Sequence, residues 1–338
     1  MNDGRDHLGG NGASAVADHD LPQPPAPPVA LAVPNVSEGR DAHTIAALAD
    51  ACRGRGVHVL DVHSDPDHHR SVLSVAGEPL ALMDAMVRLA WECLDHIDLR
   101  RHRGVHPRIG ALDVVPFVAL TPDDASLADE MARGLGARLG EELALPVFLY
   151  GSVASDPAHG RPHDFRRGGM EGLARAIEEG RLVPDFGPHR LHASAGAVMV
   201  GARAPLVAWN VWLPNGTHEQ ARAIAARVRE AGGGLPGVRA LGLYLPAAEA
   251  AQVSMNLEDI DRTPPAAAVA AVRAEADRLG AHAGDSELVG LIPSRALRRG
   301  PSPGALGLRG FRPGQVLEAQ MPALRRDVLG RRTAGGAR

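Results

Sequence analysis

Apolar positions along this chain fall into two rhythms, strand-like and helical, and the order in which they alternate occurs twice. Val29 to Pro34 is apolar and strand-like, and Ser37 follows where it can cap a helix carrying Ile45, Leu48, Ala49 and Cys52 on one side. Val57 to Val62 and Ser71 to Ala76 read as two further strands joined by a turn rich in His and Asp. Leu82, Met86, Leu89, Ala90, Cys93 and Ile97 then recur at helical spacing, which makes one broad apolar stripe. Ala111 to Leu120 closes the set as a fourth strand. The order β-α-β-β-α-β predicts a ferredoxin-like α+β unit, two helices over one face of a four-stranded sheet.

The same order returns later. Leu206 to Leu213 is a strand, Thr217 with Gln220 forms a capping-box pattern, and Ala221, Ile224, Ala225 and Val228 stripe the next helix. Val238 to Leu245 and Gln252 to Leu257 are adjoining strands, Thr263 and Pro264 start a second helix as N-cap and first residue, and Leu288 to Ile292 ends the set. Two related α/β subdomains are therefore expected, over 29–204 and 205–325. Between the repeats lie an added helix from Thr121 to about Leu143, a strand over Val147 to Tyr150, and a Gly-, His- and Arg-rich excursion from Gly151 to His192. A connection of that length is usually functional or mobile. Residues 1–28 are expected to be a disordered tail and 326–338 to fray.

Composition narrows the partners. The 338 residues carry a net charge of -4 and 45% hydrophobic but only 3% aromatic residues, so neither a basic field nor a stacking platform for nucleic acid is present. Two cysteines, Cys52 and Cys93, without CxxC spacing suggest buried thiols in a reducing compartment. No apolar run reaches membrane-spanning length, and a cytoplasmic protein is expected. All basic side chains other than histidine are arginine, so a phosphate loop ending in lysine is excluded.

Candidate chemistry concentrates in three stretches. Arg101-His102-Arg103-Gly104-Val105-His106-Pro107-Arg108 sets two imidazoles and three guanidinium groups in a loop at a strand entrance, where His106 is the candidate acid/base. His63-Ser64-Asp65-Pro66-Asp67-His68-His69-Arg70 reads as a substrate- or anion-binding loop, with a surface turn and a metal site as the competing readings. Pro184-Asp185-Phe186-Gly187-Pro188-His189, running into Ser194-Ala195-Gly196-Ala197, has small residues that let a flat ligand approach backbone.

Five segments in one order carry a resemblance. Val33-Pro34-Asn35-Val36-Ser37-Glu38-Gly39, the stretch from Arg101 to Val114, Pro146 to Gly151, Pro184 to Pro188, and Leu288 to Pro293 resemble the formiminotransferase family from about residue 29 to 300. The resemblance implies two subdomains with a substrate groove between them. It also implies transfer of a formimino group from N-formimino-L-glutamate to N5 of tetrahydrofolate, releasing L-glutamate, in histidine breakdown. His106 falls on the family's catalytic histidine. The folate-binding segment falls on Gly187, Pro188, His189, Arg190, Leu191, His192, Ala193, Ser194, Ala195 and Gly196. Arg70 and Arg108 match family arginines, and charge suggests them as carboxylate clamps. Tetrahydrofolate is the implied co-substrate and no metal is expected. The expected partners are small molecules, with a homodimer allowed and a separate cyclodeaminase for the product.

Two departures stand out. Better-known members have an acidic residue two positions past Asp61, where this chain has His63, and an aromatic residue of animal members is replaced by Ala195. Two rival functions go with these stretches: a metal-dependent hydrolase of a small amidine using the His63 to His69 cluster, and a non-catalytic folate- or metabolite-binding protein.

Overall fold

The computed structural model describes residues 28–298, 300–322 and 324. The expected tails over 1–28 and 326–338 lie, but for Pro28, outside the described residues. The first expected strand is two pieces, β1 (Ala30–Ala32) and β2 (Asn35–Val36), interrupted at Pro34, which has no N–H to give a ladder. Helix α1 (Ala42–Ala51) is capped by Asp41, whose side chain accepts from His43 N at 3.0 Å. Ser37 is not the cap expected of it. It is buried, and its hydroxyl donates to Gly110 O at 2.6 Å, tying β2 to the histidine-bearing loop.

Strands β3 (Val57–Asp65) and β4 (Arg70–Gly77) pair antiparallel, α2 (Pro79–His96) buries the predicted stripe, and β5 (Leu112–Val118) follows. In space the order is β3, β4, the β1/β2 pair, then β5. The added helix α3 (Ala125–Leu143) leads to β6 (Val147–Gly151), and β7 (Val198–Arg203) inserts in parallel between β5 and β6. Strand β7 was not expected, because glycine and alanine around it mask its Val198-Met199-Val200 core. The excursion before it is not a bare loop. It holds the short helices α4 (Pro162–Phe165) and α5 (Gly169–Glu178), which share a small core with Phe148, Tyr150 and Met199.

The second sheet comprises β8 (Val207–Leu213), β9 (Val238–Leu245), β10 (Ala250–Leu257) and β11 (Ser286–Val289), in the antiparallel spatial order β11, β8, β10, β9. Helices α6 (His218–Val228) and α7 (Pro265–Arg278) belong to its core, with Thr217 and Gln220 forming the expected capping box. Helix α7 starts one residue later than expected: Pro264 is the cap, and the Thr263 hydroxyl donates to Pro236 O at 2.7 Å instead.

The protein is thus mixed α+β with two sheets. Strand alternation decides what lies between them. On β4 and β5, Leu73, Val75, Val115 and Phe117 join the helical core, while Val72, Ser74, Val114 and Pro116 face a cavity. On β8, Val207, Trp209 and Val211 are core, while Ala208 and Asn210 face the same cavity. The chain after β11 returns to the first sheet, where Leu317 and Leu324 pack on Leu31, Ala76 and Val118. Among the described residues no helix is long and apolar enough to cross a membrane.

Candidate active site

The two sheets enclose a cavity of about 600 Å³. His106 is on its wall, half-buried, at the entrance to β5. Its Nδ1 lies 2.8 Å from Pro107 O; a carbonyl only accepts, so Nδ1 carries the proton and Nε2 keeps its lone pair. Burial, reinforced by the positive charges of Arg70 and Arg166, pushes the imidazole well below its ordinary value. His106 is therefore neutral at neutral pH, the form in which Nε2 accepts a proton.

The charge that organises this wall is Asp113 on β5, fully buried. Its Oδ1 accepts from the N–H groups of Ile109 at 2.7 Å and Gly110 at 3.2 Å, which folds the chain between His106 and the strand. Its Oδ2 accepts from Arg70 at 2.7 Å and Arg166 at 2.5 Å. Burial alone would raise this carboxyl, but the guanidinium groups of Arg166 and Arg70 and the Ile109 N–H hold it well below the usual carboxylate range. Arg70 also donates through Nε to Asn35 Oδ1 at 3.1 Å. Both arginines keep a face on the cavity.

The turn between β3 and β4 is an anchor rather than a surface turn. Asp67 and His68 are buried: the Asp67 carboxylate accepts from Ala247 N at 2.8 Å, and His68 Nε2 donates to Gln252 Oε1 at 3.1 Å, both partners belonging to the second sheet's β9–β10 hairpin. The His68 ring centroid lies 5.7 Å from that of His106. His69 stacks on His102 at 4.1 Å, and His102 Nε2 donates to His69 O at 2.8 Å. Gly104 lies where any Cβ would run into the His68 carbonyl and the His69 side chain. Among the described residues no three His, Cys, Asp or Glu side chains form a metal-ligand cluster.

Other expected residues lie apart from the cavity. Arg108 is off its wall; it donates to His102 O at 3.1 Å, and its Nε is buried without a partner. None of Gly187 to Gly196 lines the cavity. That segment instead backs the histidine loop: Ser194 O accepts from Leu99 N at 2.8 Å and Ala195 O from Ala111 N at 2.9 Å. Gly196, at φ 72°, allows the close approach to Ile109.

Several cavity residues were not anticipated. Arg166 sits in the excursion, whose length and His/Arg content were its sole signal. Tyr150 and Arg203 form a pair on the wall, with burial pushing the phenol up to about 12. Asn210, Arg229 and Arg239 come from the second subdomain, where nothing local distinguishes them from solvated polar residues. Arg229 and Arg239, with Arg70 and Arg166, give the cavity an excess of guanidinium groups, suited to a ligand with several carboxylates.

Comparison with known proteins identifies the family. The family described as the formiminotransferase domain, N-terminal subdomain, matches residues 29–203, and the formiminotransferase domain matches 208–301. A protein of Thermoplasma acidophilum named glutamate formimidoyltransferase is 40% identical over 295 residues, spanning 86% of this chain and 96% of its own. One of the same name from Streptococcus pyogenes serotype M1 is 35% identical over 266 residues, 78% of this chain and 89% of its own. The formimidoyltransferase-cyclodeaminase of Rattus norvegicus is 38% identical over 272 residues, 78% of this chain and 50% of its own.

Proposed function

This chain belongs to the formiminotransferase family, and we infer that it is a transferase moving the formimino group of N-formimino-L-glutamate to N5 of tetrahydrofolate in histidine degradation, giving 5-formiminotetrahydrofolate and L-glutamate. The observation that carries the site assignment is His106: a neutral imidazole whose Nδ1 is committed to a carbonyl and whose ring opens on an arginine-rich cavity.

The chemistry asks little more. As N5 attacks the amidine carbon, a bond forms from nitrogen to carbon and N5 must shed its proton. We assign that proton to Nε2 of His106. Collapse of the tetrahedral centre breaks the bond to the glutamate nitrogen, which must gain a proton to leave as an amine; one imidazole is able to return it. We assign Arg70 and Arg166 to the carboxylates of the glutamate moiety, because Asp113 fixes both guanidinium planes at the cavity wall. Arg108 is proposed to support the loop through His102 O. Folate binding by Gly187 to Gly196 remains our reading of that segment, supported by its hydrogen bonds to the loop bearing His106.

We read both sheets as ferredoxin-like, supported by the same chain order and by the spatial order fourth, first, third, second in each. The two separate cores support the proposed division into subdomains over 29–204 and 205–325 up to about residue 311, after which Leu317 and Leu324 pack on the first sheet. The remaining expectations are a cytoplasmic location, a separate cyclodeaminase for the product and no requirement for metal, with a homodimer allowed and readable by light scattering. The test of the function is glutamate release from formiminoglutamate by purified, metal-stripped protein. Release only with tetrahydrofolate present supports transfer; release without it indicates a hydrolase.

A further inference from the structure

His106 is not the sole imidazole on the cavity wall whose orientation is fixed by a neighbour. His63, on β3, also lines the cavity, and its Nε2 lies 3.4 Å from Oε1 of Glu287 on β11 of the second sheet. The other oxygen of that carboxylate, Oε2, accepts from Asn210 Nδ2 at 3.0 Å, so Glu287 is itself oriented. The pair is partly shielded, with side chains 21% and 28% exposed, and leaves Nδ1 as the ring nitrogen it does not use. An imidazole facing a carboxylate that is hydrogen-bonded in turn by a third group is the arrangement of a proton-transfer residue with its orienter. His106 makes no ring contact with a carboxylate: its Nδ1 partner is a carbonyl, and the charges of Arg70 and Arg166 act on it more strongly than that of Asp113. The two imidazoles differ in their partners: His106 faces a backbone carbonyl through Nδ1, and His63 faces a carboxylate through Nε2.

We propose that His63, oriented by Glu287, delivers the proton to the departing glutamate nitrogen, while His106 removes the one from N5. The step balances. The N5 lone pair forms the new bond to carbon and the N5 proton passes to His106 Nε2. The electron pair of the breaking carbon–nitrogen bond returns to the glutamate nitrogen, which takes its proton from Nδ1 of the His63 imidazolium, and Glu287 balances the charge of that form. Solvent returns the proton from His106 to His63 between turnovers. His63 and Glu287 stand on different sheets, so the donor is complete only when the two sheets face each other. This assignment rests on the formimino-transfer reading.

The experiment compares two formimino donors in the presence of tetrahydrofolate: formiminoglutamate, and a donor built on 4-aminobenzoate, whose arylamine leaves with far less need of protonation. His63→Gln is expected to lower kcat on formiminoglutamate about a hundredfold with little change in KM, and Glu287→Gln to lower it in the same sense. On the arylamine donor both variants should approach wild-type turnover, whereas His106→Ala stays impaired on both donors. If His63→Gln does not fold, Glu287→Gln read against the two donors makes the same comparison. Wild-type kcat in the folded variants, or an equal loss on both donors, would overturn the assignment. Wild-type protein that releases no glutamate in a folate-dependent manner would overturn the functional reading itself.

Discussion

Arg166 donates to Oδ2 of Asp113 at 2.5 Å across 53 positions of sequence, and that bond brings the helical excursion to the wall of the cavity. Asp113 is buried between Arg166 and Arg70, and with two more bonds from backbone N–H groups its carboxylate is fully used. Removing its charge leaves two guanidinium groups facing each other without a counter-ion. Asp113→Asn is expected to lose about 3–5 kcal/mol of stability, the usual result of removing one partner of a buried ion pair. A urea midpoint shifted by less than about 1 kcal/mol equivalent would show that the arginines are solvated or paired elsewhere.

Arg166 itself serves as a planar fork, so its lysine variant should not replace it. Arg166→Lys is expected to raise KM for formiminoglutamate by about 1–3 kcal/mol equivalent, with a smaller effect on folate. Unchanged KM in Arg166→Lys and Arg166→Ala together would take the residue out of the substrate site.

His106→Ala should lower kcat by about a hundredfold to ten thousandfold with folate binding retained. The pH profile has a defined sign. Burial, with Arg70 and Arg166, lowers the His106 value, so the base stays unprotonated through neutrality and the acid limb of kcat lies below the ordinary histidine value of about 6.5. An acid limb at or above that value would contradict the environment described.

Arg108 gives a contrasting expectation. It is off the cavity wall and bonded to His102 O, so Arg108→Ala is expected to lower kcat and stability while leaving KM for formiminoglutamate within about twofold. A rise in KM with unchanged kcat would restore it as a carboxylate clamp.

Acid should loosen the loop before it titrates the carboxylates. Burial pushes His102 down to about 4 in the folded chain, against about 6.5 when unfolded. The unfolded state therefore binds the extra proton first, and this contribution to stability is whole above about 6.5 and lost as the pH falls toward about 4. His69 and His106 shift in the same direction. Replacing His102 by Asn, which does not titrate, should flatten the stability curve in that window; an unaltered slope would show that His102 is solvated.

Incubation with a chelator is expected to leave folate-dependent glutamate release intact, because imidazole can carry both proton transfers. Loss of turnover restored by one divalent ion would favour the hydrolase.

Local pattern determined the elements of this protein. Stripes such as Leu82, Met86, Leu89 and Cys93, and the capping box of Thr217 and Gln220, are read within a few turns of chain, so the two β-α-β-β-α-β runs were legible, as was the loop carrying His106. The family resemblance came from the same short segments. What local pattern could not decide is which polar residues meet. Asp113 looked like one acidic residue in an apolar strand and Arg166 like one basic residue in a loop, and Glu287 lay just outside the strand expected over Leu288 to Ile292. Each acquires its role from a partner on another element: Arg70 and Arg166 for Asp113, His63 for Glu287. Caps were misplaced for a related reason, since Ser37 gives its hydroxyl to Gly110, a partner 73 positions away, and leaves the helix to Asp41. Periodicity fixes which face a side chain occupies, because backbone geometry sets it. Charge pairing across sheets depends on how the faces are apposed, which only the tertiary fold decides.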